Sequence, residues 1–440
     1  MNAFALLLQR RFLPLFVVQF GGALNDNVLR NALVAMITFG ALGAELSNRA
    51  LYIQLTVGFF MLPYFLFAAS AGSFADRCPD RALAIRWIKL AEIGTVCVAL
   101  AGFAFGSVGA LLLAVFLAGT QSALFGPFKY AVLPDLLEAD ELPRGNGLVS
   151  ASTFLAIIAG VYLGTELGAR PGGAGALAAT LLLIALAGFV AAWRLLPLPN
   201  AAPQGWLQAF EWNIFRAIAV NIRACRTEPW TLSLICMISW FWVSGAIIST
   251  QLPLLVRDVY GYDHTVYLGL LLLICLGVAA GSLIAGRLPR GATSNRPVPF
   301  AIAVAAFCCM LPVYPDAALP PAGEELPGLA AFLAVPAHYA GAANIFVLSM
   351  AMGFYIVPLY VTMQLLAPAR QRGRVIAANN VFNAVFIVLG VVLAGLLVGA
   401  GADVGVGIDR LYLTIGMLGF VVAVIGNRLV IPNLNARLAA

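Results

Sequence analysis

The residues of this 440-residue chain best placed to do chemistry lie in one stretch, Phe12 to Phe39, FLPLFVVQFGGALNDNVLRNALVAMITF. Both of its flanks are apolar, yet its middle carries Asn25, Asp26, Asn27, Arg30 and Asn31. As a single helix it would cover about 42 Å at ~1.5 Å per residue, more than the ~30 Å hydrocarbon core of a bilayer. Asp26 then falls close to the midplane. An ionisable group there costs roughly 2.5–3.5 kcal/mol on insertion scales and must face protein or a water-filled cavity. Asp26 and Arg30 are four apart and can pair along one helix face, and Asn27 and Asn31 repeat that spacing. Two readings stay open: a polar site for a bound molecule, or an internal ion pair with amides tying helices together.

The other polar candidates are few. Lys89 and Lys129 are the only lysines, and both sit at the edges of apolar runs. Lys89 has Glu92 three residues on and can pair with it along a helix. Lys129 can present a point charge to a phosphate, snorkel, or pair with Asp135 or Glu138. A cavity offering a carboxylate and an ammonium suits a zwitterion. The C-terminal half is uncharged in its apolar runs: Ser244, Ser249, Thr250 and Gln251, then Gln364, then Asn379, Asn380 and Asn383. Asn380 and Asn383 can face a cavity or serve as amide glue.

These residues must be positioned by membrane-spanning helices. The chain is 62% hydrophobic and 10% charged with mean hydropathy +0.96, the composition of an all-α polytopic membrane protein. Arg10 and Arg11 precede a first span too long for a signal-peptide core, so no cleavable leader is expected. Seven scattered cysteines and two histidines, His264 and His338, suggest neither a disulfide framework nor a metal site. The histidines read as interfacial. Neither lysine follows glycine, so no P-loop is present, and neither histidine begins an H-x4-D motif. Catalysis, a cofactor and nucleic-acid binding are all excluded on this reading.

Twelve apolar spans can be drawn, near 12–40, 51–74, 82–104, 108–126, 146–166, 175–196, 230–256, 265–286, 298–315, 336–362, 375–400 and 410–432. With both termini in the cytoplasm, only Arg49, Arg170, Arg257 and Arg410 fall on the opposite side. Every other basic residue except the intramembrane Arg30 is then cytoplasmic, as the positive-inside rule requires. Residues 1–196 and 230–440 form two six-span bundles, joined by a linker at 197–229. In the linker, Leu207, Phe210, Ile214 and Ile218 fall at helical spacing, with Glu211, Arg216 and Arg223 elsewhere, so an amphipathic interfacial helix is expected.

The halves look duplicated. Gly72-Ser-Phe-Ala-Asp76-Arg77 ends span 2 and Gly281-Ser-Leu-Ile-Ala-Gly-Arg287 ends span 8. Pro127 corresponds to Pro358 and Gly160 to Gly390. The later offsets exceed the first because of a Pro/Gly/Glu-rich insertion around 316–335. Such a duplication suits a transporter that rocks two bundles about a midplane site.

The run Gly72-Ser-Phe-Ala-Asp76-Arg77-Cys-Pro-Asp80-Arg81 resembles the major facilitator superfamily signature G-x-L-A-D-R-x-G-R-[RK] between spans 2 and 3; Pro79 and Asp80 depart from it. The resemblance implies a twelve-helix major facilitator fold of two six-helix bundles. Gly72 would permit close helix contact, Asp76 would cap or pair at a neighbouring helix end, and Arg77 and Arg81 would anchor a cytoplasmic gate. Lys89 and Glu92 are assigned to the same conformational machinery.

A narrower resemblance rests on Gly22-Ala-Leu-Asn25-Asp26-Asn27, on Phe125-Gly-Pro-Phe-Lys129-Tyr130, and on Asn146-Gly-Leu-Val-Ser150-Ala-Ser152-Thr153. These are similar to the bacterial lysophospholipid transporter family, some members of which are fused to acyltransferases. The resemblance implies movement of lysophospholipid from the outer to the inner leaflet of the bacterial inner membrane. It implies a monomer without cofactor, lipid as partner, and a separate acyltransferase nearby. The expected substrate-contacting set is Asp26, Asn27, Arg30, Lys129, Asn146, Ser150, Thr250, Gln251, Asn380 and Asn383. Two departures bear on headgroup choice: Ser249 to Gln251 stand where relatives carry an arginine, and Ser150 where they carry a glutamate. The alternative is a proton-coupled or facilitative exporter or symporter of a drug or metabolite, with Asp26 as its protonation site.

Overall fold

The computed structural model describes residues 3–38, 49–170, 172–200, 203–226, 229–288, 295–311, 326–368, 371–399 and 404–439. Its long helices are α1 (Leu13–Thr38), α2 (Arg49–Arg77), α3 (Arg81–Ala104), α4 (Val108–Ala131), α5 (Leu142–Ala169) and α6 (Ala174–Trp193). They continue as α7 (Pro229–Leu254), α8 (His264–Ala285), α9 (Val298–Met310), α10 (His338–Leu366), α11 (Arg372–Gly399) and α12 (Val404–Ile425). Among the described residues ten helices are long and apolar enough to cross a membrane by that test alone. The two others are α1, 26 residues long with a polar centre, and α9, at 13 residues.

Local chemistry sets several helix ends. Asp80 caps α3 by accepting from the amides of Ala82 (2.8 Å) and Leu83 (3.4 Å), and Ser107 and Asp263 cap α4 and α8 in the same way. Proline occupies the first turn of α5 and α9, where its missing N–H costs nothing. Pro127 and Pro358 lie inside α4 and α10, the corresponding helices of the two halves.

The chain falls into two compact units. One comprises Met1–Gly145, Ser152–Pro229 and Met363–Val381; the other comprises Asn146–Ala151, Trp230–Thr362 and Phe382–Ala440. In the first, Val28, Leu29, Leu33, Val96, Leu111, Val115, Leu177 and Leu181 make a continuous core. Gly160, Gly164 and Gly168 let α5 lie against the α1 backbone, where added Cβ atoms would fall 2.5–2.6 Å from Asn27, Val28 and Ala32. In the second unit a Cβ at Gly390 would fall 2.1 Å from Val243 of α7. Equivalent glycines thus hold α5 to α1 and α11 to α7, as a duplication requires. Trp87, Leu183, Val190, Trp193 and Leu393 are among many exposed large apolar side chains, which suits lipid as solvent.

Three expectations need correction. Helix α4 continues through Pro127 to Ala131, so Lys129 lies within it rather than beyond it. The linker is not one helix: Trp206–Ala209 makes a single turn, and the chain breaks before a helix at Ile214–Arg226. Asn213 causes the restart by accepting from the Arg216 amide at 3.0 Å. His338 is buried, not interfacial, stacked on Phe332 with ring centres 4.4 Å apart and beside Tyr262. The side chain of His264 and residues 316–325 of the expected insertion lie outside the described residues.

Candidate functional site

The polar centre of α1 sends three successive side chains to three places. Asn25 donates to Glu92 Oε1 of α3 at 3.0 Å. Asp26 accepts a short hydrogen bond from the hydroxyl of Ser122 on α4. Asn27 turns back on its own helix, donating to the Ala23 carbonyl at 2.8 Å. This fan follows from the 100° step between helical residues.

The expected Asp26–Arg30 pair is not made. Arg30 donates to Asn27 Oδ1 at 2.8 Å, and its guanidinium lies 5.2 Å from the centre of the Phe60 ring. Among the described residues no cation sits within 4.0 Å of the Asp26 carboxylate, although Asp26 is only 7% exposed. The phenol of Tyr64 joins the group beside Ser122 and Asp26.

Behind Asp26 lies a second charged group. Lys89 is fully buried and pairs with Glu92, which is 3% exposed. Gln121 donates to Glu92 Oε2 at 3.3 Å. Two glycines make room for the lysine: a Cβ at Gly22 would stand 3.1 Å from Nζ, and one at Gly188 would stand 2.8 Å from Cε. Lys89 and Glu92 are therefore interior to the first unit, away from the loop between α2 and α3. Lys129 has no carboxylate within 4.0 Å among the described residues, and its ammonium lies 4.7 Å from the Tyr130 ring centre. The alternative partner Asp135 is occupied by Arg81 (2.6 Å) and Arg372 (3.5 Å).

At the α2–α3 loop, Asp76 caps the first turn of α11, accepting from the amides of Gly373 (2.6 Å) and Arg374 (3.0 Å). Gly72 permits the approach, since a Cβ there would fall 2.3 Å from the Ala377 Cβ. Arg81 is buried and donates to the Ala75 carbonyl at 2.9 Å as well as to Asp135. Arg77 contributes its carbonyl, which accepts from Gln204 N at 2.7 Å. Asn200 clasps the loop by donating to the carbonyls of Ala75 and Cys78. Burial also pushes the Cys78 thiol up to about 12.

The remaining candidates separate. Ser150 shares a 2.9 Å hydrogen bond with Ser282 of α8, and Asn146 is buried one turn earlier. Asn383 accepts from Ser239 of α7 at 2.8 Å. Gln251 is buried with its amide oxygen unpartnered among the described residues, and Asn380 lies beside Gly126 in the first unit. The side chain of Thr250 lies outside the described residues. Sequence reasoning missed Ser122, Tyr64, Gln121 and Asn200, and left Asn25 out of the substrate-contacting set. The run Thr120-Gln121-Ser122, polar inside an otherwise apolar span, was the available signal for two of them.

The family model described as Major Facilitator Superfamily matches residues 15–391. The chain belongs to the major facilitator superfamily. This facilitator is therefore a multi-pass membrane transporter and not an enzyme. It is 27% identical over 414 residues to a protein of Escherichia fergusonii named Lysophospholipid transporter LplT, covering 90% of this chain and 91% of that one. A protein of the same name from Photorhabdus laumondii is 27% identical, covering 92% and 94%. Among solved structures, the human organic anion transporter MFSD10 aligns with a TM-score of 0.71 at 15% identity, covering 94% of this chain and 99% of that one. The proton:xylose symporter XylE, bound to 6-bromo-6-deoxy-D-glucose, aligns with a TM-score of 0.65 at 13% identity, covering 97% and 99%. These two share the fold of this facilitator.

Proposed function

We propose that this transporter moves lysophospholipid across the bacterial inner membrane by alternating access, with the headgroup held by Asp26 and Lys129. The observation that carries this reading is a buried carboxylate partnered by a hydroxyl, with no cation within 4.0 Å among the described residues, which leaves room for a cationic group on the cargo. Lys129, beside the Tyr130 ring and with no carboxylate within 4.0 Å among the described residues, offers the matching charge for a phosphate. The similarity to proteins named Lysophospholipid transporter along nine-tenths of the chain supports the lipid class. Asn27 and Arg30 shape the Asp26 site; Asn146, Ser150, Thr250, Gln251, Asn380 and Asn383 are the further substrate contacts of this proposal. On this reading α1 and α9 complete a set of twelve spans in two six-helix bundles. Both termini are cytoplasmic, the protein acts as a monomer, and a separate acyltransferase consumes the product.

One observation favours a second reading. A carboxylate hydrogen-bonded, among the described residues, to a hydroxyl and to no cation is also suited to carry a proton, as a proton-coupled symporter of a small metabolite would need. Uptake in proteoliposomes separates the two. Radiolabelled lysophosphatidylethanolamine should enter the inner leaflet with or without a protonophore, Asp26→Asn should abolish entry, and Lys129→Ala should weaken anionic-headgroup substrates most. Uptake that collapses with the proton gradient would select the symporter, and uptake retained by Asp26→Asn would remove Asp26 from the site.

A further inference from the structure

The linker presents an unusual surface. Leu207, Trp212 and Phe215 are 78%, 72% and 85% exposed, although each is large and apolar. In the helix Ile214–Arg226, Ala217 is fully buried and the helix packs on α2. The opposite side runs from Phe215 and half-buried Ile222 to exposed Arg216 and Arg223. Arg216 faces Glu211 at 3.5 Å, while Arg223 has no carboxylate partner among the described residues. An apolar edge that grades into arginines is what an interfacial helix shows to a headgroup layer.

This surface is joined to the loop that holds α11. Phe210 and Trp206 pack against Phe74 of α2, with ring centres 6.0 and 6.1 Å away, and the Phe210 and Trp212 rings meet at a tilt with centres 4.8 Å apart. Phe74 stands two residues before Asp76. The strand-like segment ahead of the linker is laced to the same loop, with Arg81 N donating to Leu198 O (2.9 Å) and Asn200 N to Pro79 O (3.2 Å).

We infer that the exposed linker face binds an anionic lipid surface and that this binding steadies the α2–α3 loop. Lipid acts here as a regulator of the loop that caps α11, whatever the cargo. The occupant follows from charge: among the described linker side chains Arg216 and Arg223 outweigh Glu211, and the apolar residues beside them have no protein to cover them. An anionic leaflet favours each arginine near it by roughly five-fold.

Hydrogen exchange of the amides of Arg81, Asn200 and Gln204 tests this in nanodiscs of pure phosphatidylcholine and of an equal mixture with phosphatidylglycerol. The wild type should exchange about five-fold more slowly in the anionic discs. Arg216→Gln with Arg223→Gln should exchange equally in both. Bromine-labelled phosphatidylglycerol should quench the emission that Trp212→Phe removes. Lipid-independent exchange in the wild type, an undiminished lipid effect in the double variant, or Trp212 emission untouched by brominated lipid would each overturn the inference.

Discussion

The end of α2 and the end of α8 occupy corresponding places in the two halves, and they are fastened differently. Gly72 lets α2 approach α11, and Asp76 then takes the amides of Gly373 and Arg374. On the other side, Gly147 lets α5 approach α8, where a Cβ would fall 2.6 Å from the Ser282 carbonyl, and the fastening is a Ser150–Ser282 hydroxyl pair. Ala285 and Gly286 stand where a second Asp76 would fall. The register that pairs Gly160 with Gly390 puts Pro143 opposite Gly373, and proline has no N–H to donate. The acceptor and one of the two donors are missing from the second copy. Close helix approach is common to the two halves; the charge is private to the first. The interiors repeat the contrast, with Lys89–Glu92 and Asp26 in the first unit and Ser239–Asn383 and Asn295–Thr362 in the second.

The largest expected effect comes from unbalancing the interior charges. Lys89→Met leaves Glu92 buried and unpaired and should destabilise the protein by about 3–5 kcal/mol. Removing both charges with Lys89→Met and Glu92→Leu should recover most of that loss, because a buried pair contributes little net stability against a well-packed apolar replacement. Thermal unfolding in one detergent compares the three proteins. A double variant as unstable as the single one would show that the Asn25 and Gln121 bonds, not charge balance, dominate.

Next in size is Asp76→Ala. It removes two hydrogen bonds from a carboxylate to backbone amides at a helix N-terminus, worth about 1.5–3 kcal/mol each in favourable cases. The first-turn amides of α11 should exchange at least tenfold faster. The converse change, Ala285→Asp, should protect the start of α5 less than Asp76 protects α11, because Pro143 leaves the new carboxylate the Arg144 amide alone of the two donors. Protection equal to that of α11 would break the argument that a donor was lost along with the acceptor.

Much of this was legible in the chain itself. Hydropathy and glycine spacing predict the helices and the duplication, because lipid forces every span into one element type and close packing forces glycine. Asp76 as a helix cap follows from its place at the end of an apolar span. The partner of Asp26 was not legible: Arg30 at four residues looks ideal, yet the rotamer that reaches Asn27 and Phe60 keeps the guanidinium elsewhere. Ser122 is separated from Asp26 by 96 positions, and no local spacing rule spans that distance. The clasp made by Asn200 was hidden for the same reason, as was the break that Asn213 puts in the linker.

A smaller effect tests that clasp. Cys78 is fully buried beneath Asn200, and burial pushes its thiol up to about 12, so the reactive thiolate is scarce at neutral pH. Maleimide should label it slowly in the wild type and faster in Asn200→Ala, with a stability cost of about 1 kcal/mol. Equal labelling would assign the shielding to Arg81 and α3 instead.

The smallest effect belongs to the hydroxyl fastening of the second half. Ser150→Ala removes one neutral hydrogen bond between helices, and such bonds in membranes average about 0.6 kcal/mol. Its partner is not stranded, because Ser282 can still donate to the Gly353 carbonyl at 3.3 Å. The glycines beside it matter more than the bond: Gly147→Ala would drive a methyl into the Ser282 carbonyl and push α5 off α8. Thermal unfolding should therefore rank Gly147→Ala well below Ser150→Ala, whereas at the α2 end Asp76→Ala and Gly72→Ala should both be costly. If Ser150→Ala proved as damaging as Asp76→Ala, the hydroxyl pair would be a true counterpart of the charged cap, and the two halves would be fastened alike.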